Sequence, residues 1–134
     1  MEELYDRAAA LLEAKFNRHM HPVAAALRTS DGLIITAVGI NHFLNAACAE
    51  TAALVIAINQ GKYDVTEIVA LTKDDDGQTV IANMCGKCRQ TFHDYAPDTL
   101  VRTTGGDLKV SELLPYPFDR QRHKIDTAKD ERRT

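Results

Sequence analysis

The three cysteines of this chain fall into two short blocks, Cys48-Ala49-Glu50 and Cys85-Gly86-Lys87-Cys88-Arg89-Gln90. Three soft ligands with a carboxylate close by are what a catalytic zinc site needs. A closed structural zinc takes four protein ligands, whereas a hydrolytic one takes three and leaves the fourth position to a water whose pKa the metal lowers to about 7. There is no fourth cysteine to close this site. Cys-x-x-Cys at a turn entering a helix lets both thiolates face one metal, with helix amides stabilising negative sulfur. Glu50, two residues after Cys48, is near enough to reach a metal-bound water yet poorly placed to ligate through the same turn, which suits a proton shuttle. Taken singly the motifs are weaker. A Cys-x-x-Cys is also the mark of a redox pair or of half a structural zinc knuckle, and a Cys-x-Glu alone means almost nothing.

Elements that position these blocks follow from periodicity. Leu4, Ala8, Leu11, Leu12 and Phe16 mark one face of a first helix, and Pro22 opens an extended segment over residues 23–28. Ser30-Asp31-Gly32 is turn chemistry, so 33–38 returns as an antiparallel partner. Residues 46–60 form an almost wholly apolar helix stopped by Gly61, with Leu54, Ile56 and Ile58 as core and only its first turn free for chemistry. Then come a strand at 65–71, a polar turn at 73–77, a short return at Val80-Ile81, a second cysteine-bearing helix at 87–95, a strand at 99–103 and a short helix at 110–114. Helices between strands imply an α/β protein, a three-layer α/β/α sandwich around one mixed five-stranded sheet.

The joint order, Cys-Ala-Glu opening one helix, a strand, then Cys-Gly-x-Cys-Arg-Gln opening another, is that of zinc-dependent nucleobase deaminases. The chain resembles the cytidine deaminase family, including its blasticidin S deaminase branch, over residues 23–118. The matching stretches are Val23-Ala-Ala-Ala-Leu27, Asp31-Gly32, Cys48-Ala-Glu50, Cys85-Gly-Lys-Cys-Arg-Gln90 and Leu113-Leu-Pro-Tyr-Pro-Phe118. The resemblance implies a Zn2+ held by Cys48, Cys85 and Cys88, with Glu50 as general acid and base. An acidified water attacks the ring carbon that bears the exocyclic amine, Glu50 passes the water's proton to the ring nitrogen, and Glu50 then protonates departing ammonia. The Leu-Leu-Pro-x-x-Phe ending resembles that of small tetrameric members, which implies a homotetramer, or a dimer, with Phe118 near a base in a neighbouring site.

Three departures from the family pattern bear on substrate. Cytidine deaminases usually carry Asn-Val-Glu-Asn after the second strand, where amide and carboxylate bind the ribose hydroxyls. Here the stretch is Gly39-Ile40-Asn41-His42. Asn41 can still hydrogen-bond a hydroxyl, more weakly than an ion would, and the His42-Phe43 pair matches the blasticidin branch, with His42 as a pocket candidate. Met84 stands where the family has proline, which loosens a turn whose carbonyl at Asn83 would accept the substrate amine. Thr51 stands where many three-cysteine members have an arginine. Since three thiolates leave one zinc at net −1, Arg89 and Lys87 are the expected compensating cations, Arg89 first because its planar fork serves two acceptors at once. His19, His21, His93 and His123 show no ligand spacing.

Composition bounds the rest. At 134 residues and 45% hydrophobic content the chain is one domain with a real core. A net charge of −3 with both signs interspersed argues against a nucleic-acid strand as partner. There is no apolar run of membrane-spanning length and no signal-like N-terminus, and three cysteines do not make a disulfide framework, so a cytoplasmic protein is expected. The domain is assigned to residues 1–118, with 119–134 as a charged, solvated tail. The expected activity is hydrolytic deamination of a cytosine-type ring in a free nucleoside or analogue. The alternatives are a blasticidin S-type antibiotic deaminase and a non-catalytic, zinc-stabilised nucleoside-binding protein.

Overall fold

Strand β3 (Val65–Lys73) organises the computed structural model, which describes residues 1–118, so the tail assigned to 119–134 lies outside the described residues. One edge of β3 pairs antiparallel with β1 (Ala24–Thr29), which pairs antiparallel with β2 (Ile34–Val38). Two strands share the other edge. β4 (Thr79–Ile81) runs antiparallel beside Leu71–Lys73, and β5 (Leu100–Thr103) runs parallel beside Glu67 and Ile68. β6 (Gly106–Lys109) pairs antiparallel with β5 and ends the sheet.

Side-chain alternation sends alternate residues of the central strands to opposite faces. Ala24, Ala26, Val69 and Leu71 face α1 (Glu2–Lys15), whose Leu4, Ala8 and Leu12 are fully buried against them. Leu27 and Ile68 face the other way, into a larger core with Ala53, Leu54 and Ala57 of α2 (Ala49–Asn59) and Cys88 and Phe92 of α3 (Gly86–Tyr95). The result is the expected three-layer α/β/α sandwich. α2 stops at a Schellman motif: Gly61 sits at φ 74°, and the N–H groups of Gly61 and Lys62 reach the Ile58 and Ala57 carbonyls at 2.9 Å each.

Two details differ from the sequence expectation. Among the described residues the sheet has six strands, not five. Gly106-Asp-Leu-Lys109 has poor strand propensity, but Gly106, at φ 110°, folds the chain back so that it completes the edge of β5, and pairing overrides propensity. α2 begins at Ala49 rather than at 46, because Ala47 is held in an isolated bridge with Ile40 through hydrogen bonds of 2.9 and 3.0 Å.

That bridge draws the start of α2 onto the sheet, and only small residues permit the approach. Ala49 packs on Ala25 and Ala70, and Gly39 is so tightly covered that a Cβ there would lie 2.5 Å from the Ala47 carbonyl oxygen and 2.9 Å from the Ala49 nitrogen. On the far side of β3, α3 starts where the chain leaves β4, with the Ala82 N–H on the Ala70 carbonyl at 2.9 Å. The short α4 (Val110–Leu113) covers α3, with Val110 fully buried.

Phe92 anchors α3 in this core with no exposed surface. Phe92→Ala is expected to lower the unfolding free energy by roughly 3–5 kcal/mol in urea titration, the range for a buried aromatic truncated to leave a cavity. A loss below about 1 kcal/mol would show that α3 is not held by this side chain.

Candidate metal centre and cavity

Both cysteine blocks end up at helix starts. Cys48 is the N-cap of α2 and Cys85 the N-cap of α3, each with extended backbone, φ/ψ −64°/149° and −71°/164°. An N-cap side chain lies over the unpaired amides of the first turn, and here the Cys85 sulfur accepts the Cys88 N–H at 3.4 Å. Cys88 follows one turn later, fully buried on the core face of α3.

The three sulfurs, 37 or more residues apart across the two blocks, all lie within 4.8 Å of one another, with Cys48 and Cys85 at 3.5 Å. No disulfide joins them. Tetrahedral ligands at about 2.3 Å place sulfur atoms roughly 3.8 Å apart, so the spacing and the all-thiol donor set fit a single thiophilic ion. Burial is the largest influence on all three thiols and disfavours the thiolates. It prevails at Cys48 and Cys88, whose thiols are pushed up, Cys88 furthest. At Cys85 the Cys88 N–H and the neighbouring thiols outweigh burial and hold it below the ordinary range. A bound cation removes this cost for all three at once.

Glu50, in the first turn of α2, is only 5% exposed. Burial pushes its carboxyl up, opposed by its own backbone N–H. It lines a cavity of about 270 Å³ together with Cys48, Cys85, Asn41 and Asn83, and the remaining wall is Pro22, Val23, Gly39, Ile40, Ala46, Ala47, Ala49 and Ala82. The cavity therefore presents a thiol pair, a carboxyl and two amide residues in an otherwise apolar wall.

The other sequence candidates are placed as follows. Asn41 lines the cavity, its backbone N–H on the Met20 carbonyl at 3.0 Å. Asn83 lines it too, but its side-chain amide is engaged at both ends by Thr104, with its oxygen accepting the Thr104 N–H at 2.9 Å and its nitrogen donating to the Thr104 hydroxyl at 3.0 Å. His42 is exposed, is not among the lining residues, accepts the Leu44 N–H at 3.1 Å and stacks on Phe43. Arg89 donates to two carbonyls, those of Met84 at 2.8 Å and Leu113 at 3.0 Å, and thereby braces the turn that lacks a proline. Lys87 donates to the Ala46 carbonyl at 3.3 Å. Phe118 is half exposed, and it too is absent from the lining residues.

Two residues that sequence reasoning left without a role stand out. The Thr51 hydroxyl is 3.3 Å from the Cys88 sulfur. The Gln90 amide clasps the backbone of Phe118, donating to its carbonyl at 3.1 Å and accepting its N–H at 3.0 Å. Gln90 sits in the Cys-x-x-Cys-Arg-Gln run, but its partner lies 28 residues on and no local pattern names it.

No protein-family model matches the chain. It is 33% identical over 128 residues to the blasticidin-S deaminase of Bacillus cereus, covering 88% of this chain and 91% of that one. It is 36% identical over 104 residues to the cytidine deaminase of Halalkalibacterium halodurans, covering 72% and 76%. Among solved structures, the cytidine deaminase of Bacillus anthracis superposes with a TM-score of 0.76 at 24% identity over 99% of this chain and 98% of that one. That of Mycobacterium tuberculosis gives 0.74 at 20% identity over 88% and 96%. A third of the residues identical along nearly the whole length, on a shared fold, settles the kinship: the chain belongs to the cytidine deaminase family.

Proposed function

We propose that this protein hydrolytically deaminates a cytosine-type ring in a free nucleoside or nucleoside analogue, giving the uracil form and ammonia. The observation that carries the reading is a cluster of three cysteine sulfurs within 4.8 Å of one another, two of which, Cys48 and Cys85, line a cavity of about 270 Å³ together with the buried carboxyl of Glu50. Cys48, Cys85 and Cys88 would hold a zinc ion, which supplies, when bound, a water acidic enough to act as nucleophile at neutral pH. The rest is work for the chain's own groups. The Glu50 carboxylate would take one proton from the attacking water and deliver it to the ring nitrogen beside the reacting carbon, then take the second proton from the hydroxyl now on that carbon and pass it to the amine, so that the C–N bond breaks, the carbonyl forms and ammonia leaves. Its burial supports the role, since a carboxyl pushed up binds a proton more readily between the two transfers. The Asn83 carbonyl would accept a hydrogen bond from the exocyclic amine, and the apolar wall would exclude competing water.

A second reading within this chemistry, an aminonucleoside antibiotic of the blasticidin type as substrate, is favoured by the sugar side of the cavity. Gly39 has no room for a side chain, and Asn41 is a neutral amide. Neither offers the ionic acceptor that a ribose diol would bind, and the nearest other wall residues, Ile40, Ala46 and Ala47, are apolar. Identity to the blasticidin-S deaminase of Bacillus cereus extends over more of the chain than identity to the cytidine deaminase of Halalkalibacterium halodurans.

The protein is read as a homotetramer. The reading is supported by exposed apolar side chains, Val55 and Ile56 on α2, 50% and 37% exposed, and Phe43 and Leu44 on the loop beside the cavity, 88% and 78% exposed, which subunit contacts would cover. In that assembly Phe118, fixed by Gln90, would reach a neighbouring site. Among the described residues no helix is long and apolar enough to cross a membrane. The three free thiols suit a reducing compartment, and the cytoplasm is the location proposed.

Purified protein is expected to carry one zinc per chain by elemental analysis. Ala at Cys48, Cys85 or Cys88 should lose the metal together with much of the stability, because site formation is coupled to folding. Glu50→Gln should keep zinc and fold while turnover falls ~10²–10⁴-fold, the usual weight of general acid–base catalysis. An active preparation without zinc would sink the mechanism. Undiminished ligand binding by Glu50→Gln, with no deamination of any cytosine compound by the parent, would instead identify a binding protein. Cytidine should be a poor substrate, mainly through a high KM, and Asn41→Glu should improve it more than a substrate without the diol. Gly39→Asn should lower stability, since its Cβ meets backbone at 2.5 Å. Cytidine turnover by the unmodified protein that matches every analogue would return the chain to ordinary cytidine deaminases.

A further inference from the structure

A side-chain hydrogen bond joins the two helices that carry the cysteines. Thr51, half-buried in the first turn of α2, holds its hydroxyl 3.3 Å from the sulfur of Cys88 on α3. In the free protein either atom can donate. A sulfur that ligates a metal has no proton, so in the loaded site the direction is fixed: the hydroxyl donates and the sulfur accepts.

The cations near the cluster are occupied elsewhere. Arg89 spends its Nε and one terminal nitrogen on the Met84 and Leu113 carbonyls, at 2.8 and 3.0 Å. The Lys87 ammonium rests on the Ala46 carbonyl at 3.3 Å. Cys85 receives a backbone N–H, that of Cys88 at 3.4 Å, and sits with Cys48 over helix amides. Cys88 is the fully buried member, away from both helix caps, and Thr51 is the hydroxyl donor beside it. A buried thiolate without a donor is costly, and a donor to a ligand sulfur both fixes its orientation and withdraws electron density from the metal–sulfur bond.

We infer that Thr51 is a positioning residue of the metal centre, which lets a three-thiolate site work with a neutral donor in place of a neighbouring cation. This rests on the metal-centre reading above. By holding the Cys88 sulfur, Thr51 fixes the third ligand relative to Cys48 and Glu50 on its own helix. By drawing off sulfur charge it leaves the ion a stronger Lewis acid, which acts on turnover rather than on substrate binding.

The test compares Thr51→Val, which keeps the shape and removes the donor, Thr51→Ala as a second donor-free variant, and Thr51→Ser, which restores the hydroxyl. Each is loaded with zinc and, separately, with cobalt(II). Expected for the donor-free variants are a zinc affinity lower by ~10-fold or more in competition with a chromogenic chelator, a thiolate-to-cobalt charge-transfer band moved to lower energy, and a reduced kcat at little changed KM. Thr51→Ser should return all three towards the parent. Folded donor-free variants with parental zinc affinity and an unmoved band overturn the inference, as does a shift that Thr51→Ser fails to reverse. A parent that takes up neither zinc nor cobalt overturns the metal-centre reading and this inference with it. Uptake of both by a parent whose donor-free variants match it overturns the inference alone.

Discussion

Everything at the candidate centre depends on two helix starts reaching one point, and the constraint that makes this possible is a lack of side-chain bulk beneath α2. Ala49 lies on Ala25 and Ala70, and the chain at Ala47 and Ala49 passes directly over Gly39. With larger residues in this layer, α2 would stand off the sheet and Cys48 would leave the reach of Cys85, now 3.5 Å away. The alanine run of β1 is poor strand sequence by propensity. It persists because it is paired on both sides, by β2 and β3, and because small side chains let the helix approach.

The second organising feature is how the polar side chains around the centre are committed. Arg89 and Lys87 hold carbonyls, Asn83 is tied to Thr104, Gln90 to Phe118 and Thr51 to Cys88. Apart from the Arg89–Met84 bond these join residues 21 or more apart in sequence, and together they tie α3 to α2, to the segment before α2 and to the final turn of the domain, and the segment that leads into α3 to the end of β5. A cluster supported this way is preorganised: the positions of its thiols are set by the fold.

The sequence made legible what local pattern encodes. The Cys-Ala-Glu and Cys-x-x-Cys blocks announce helix starts and donor chemistry in a few residues, and helical and alternating periods announced α1, α2, α3 and the first strands. Less legible was whatever depends on a distant partner. β6 exists because β5 offers an edge to Gly106–Lys109, and α2 starts at Ala49 because Ala47 is bridged to Ile40. Arg89 was expected to offer its fork to sulfurs or carbonyls, and only the three-dimensional arrangement shows carbonyls as its partners. Thr51 looked like a missing arginine, and its contact with a sulfur 37 residues away has no signature in the chain around it.

The covering of Gly39 also shapes how this protein can change over generations. The backbone that closes over position 39 is the same backbone that delivers Cys48, so a side chain there cannot be accommodated without displacing that thiol. Position 41 has no such tie, being exposed and held by its main chain. The two ends of the stretch 39–41 are therefore unequal as steps on a mutational path. Changes at 41 are available at once, whereas a change at 39 must wait for prior loosening of residues 47–49, an order of events imposed by geometry alone.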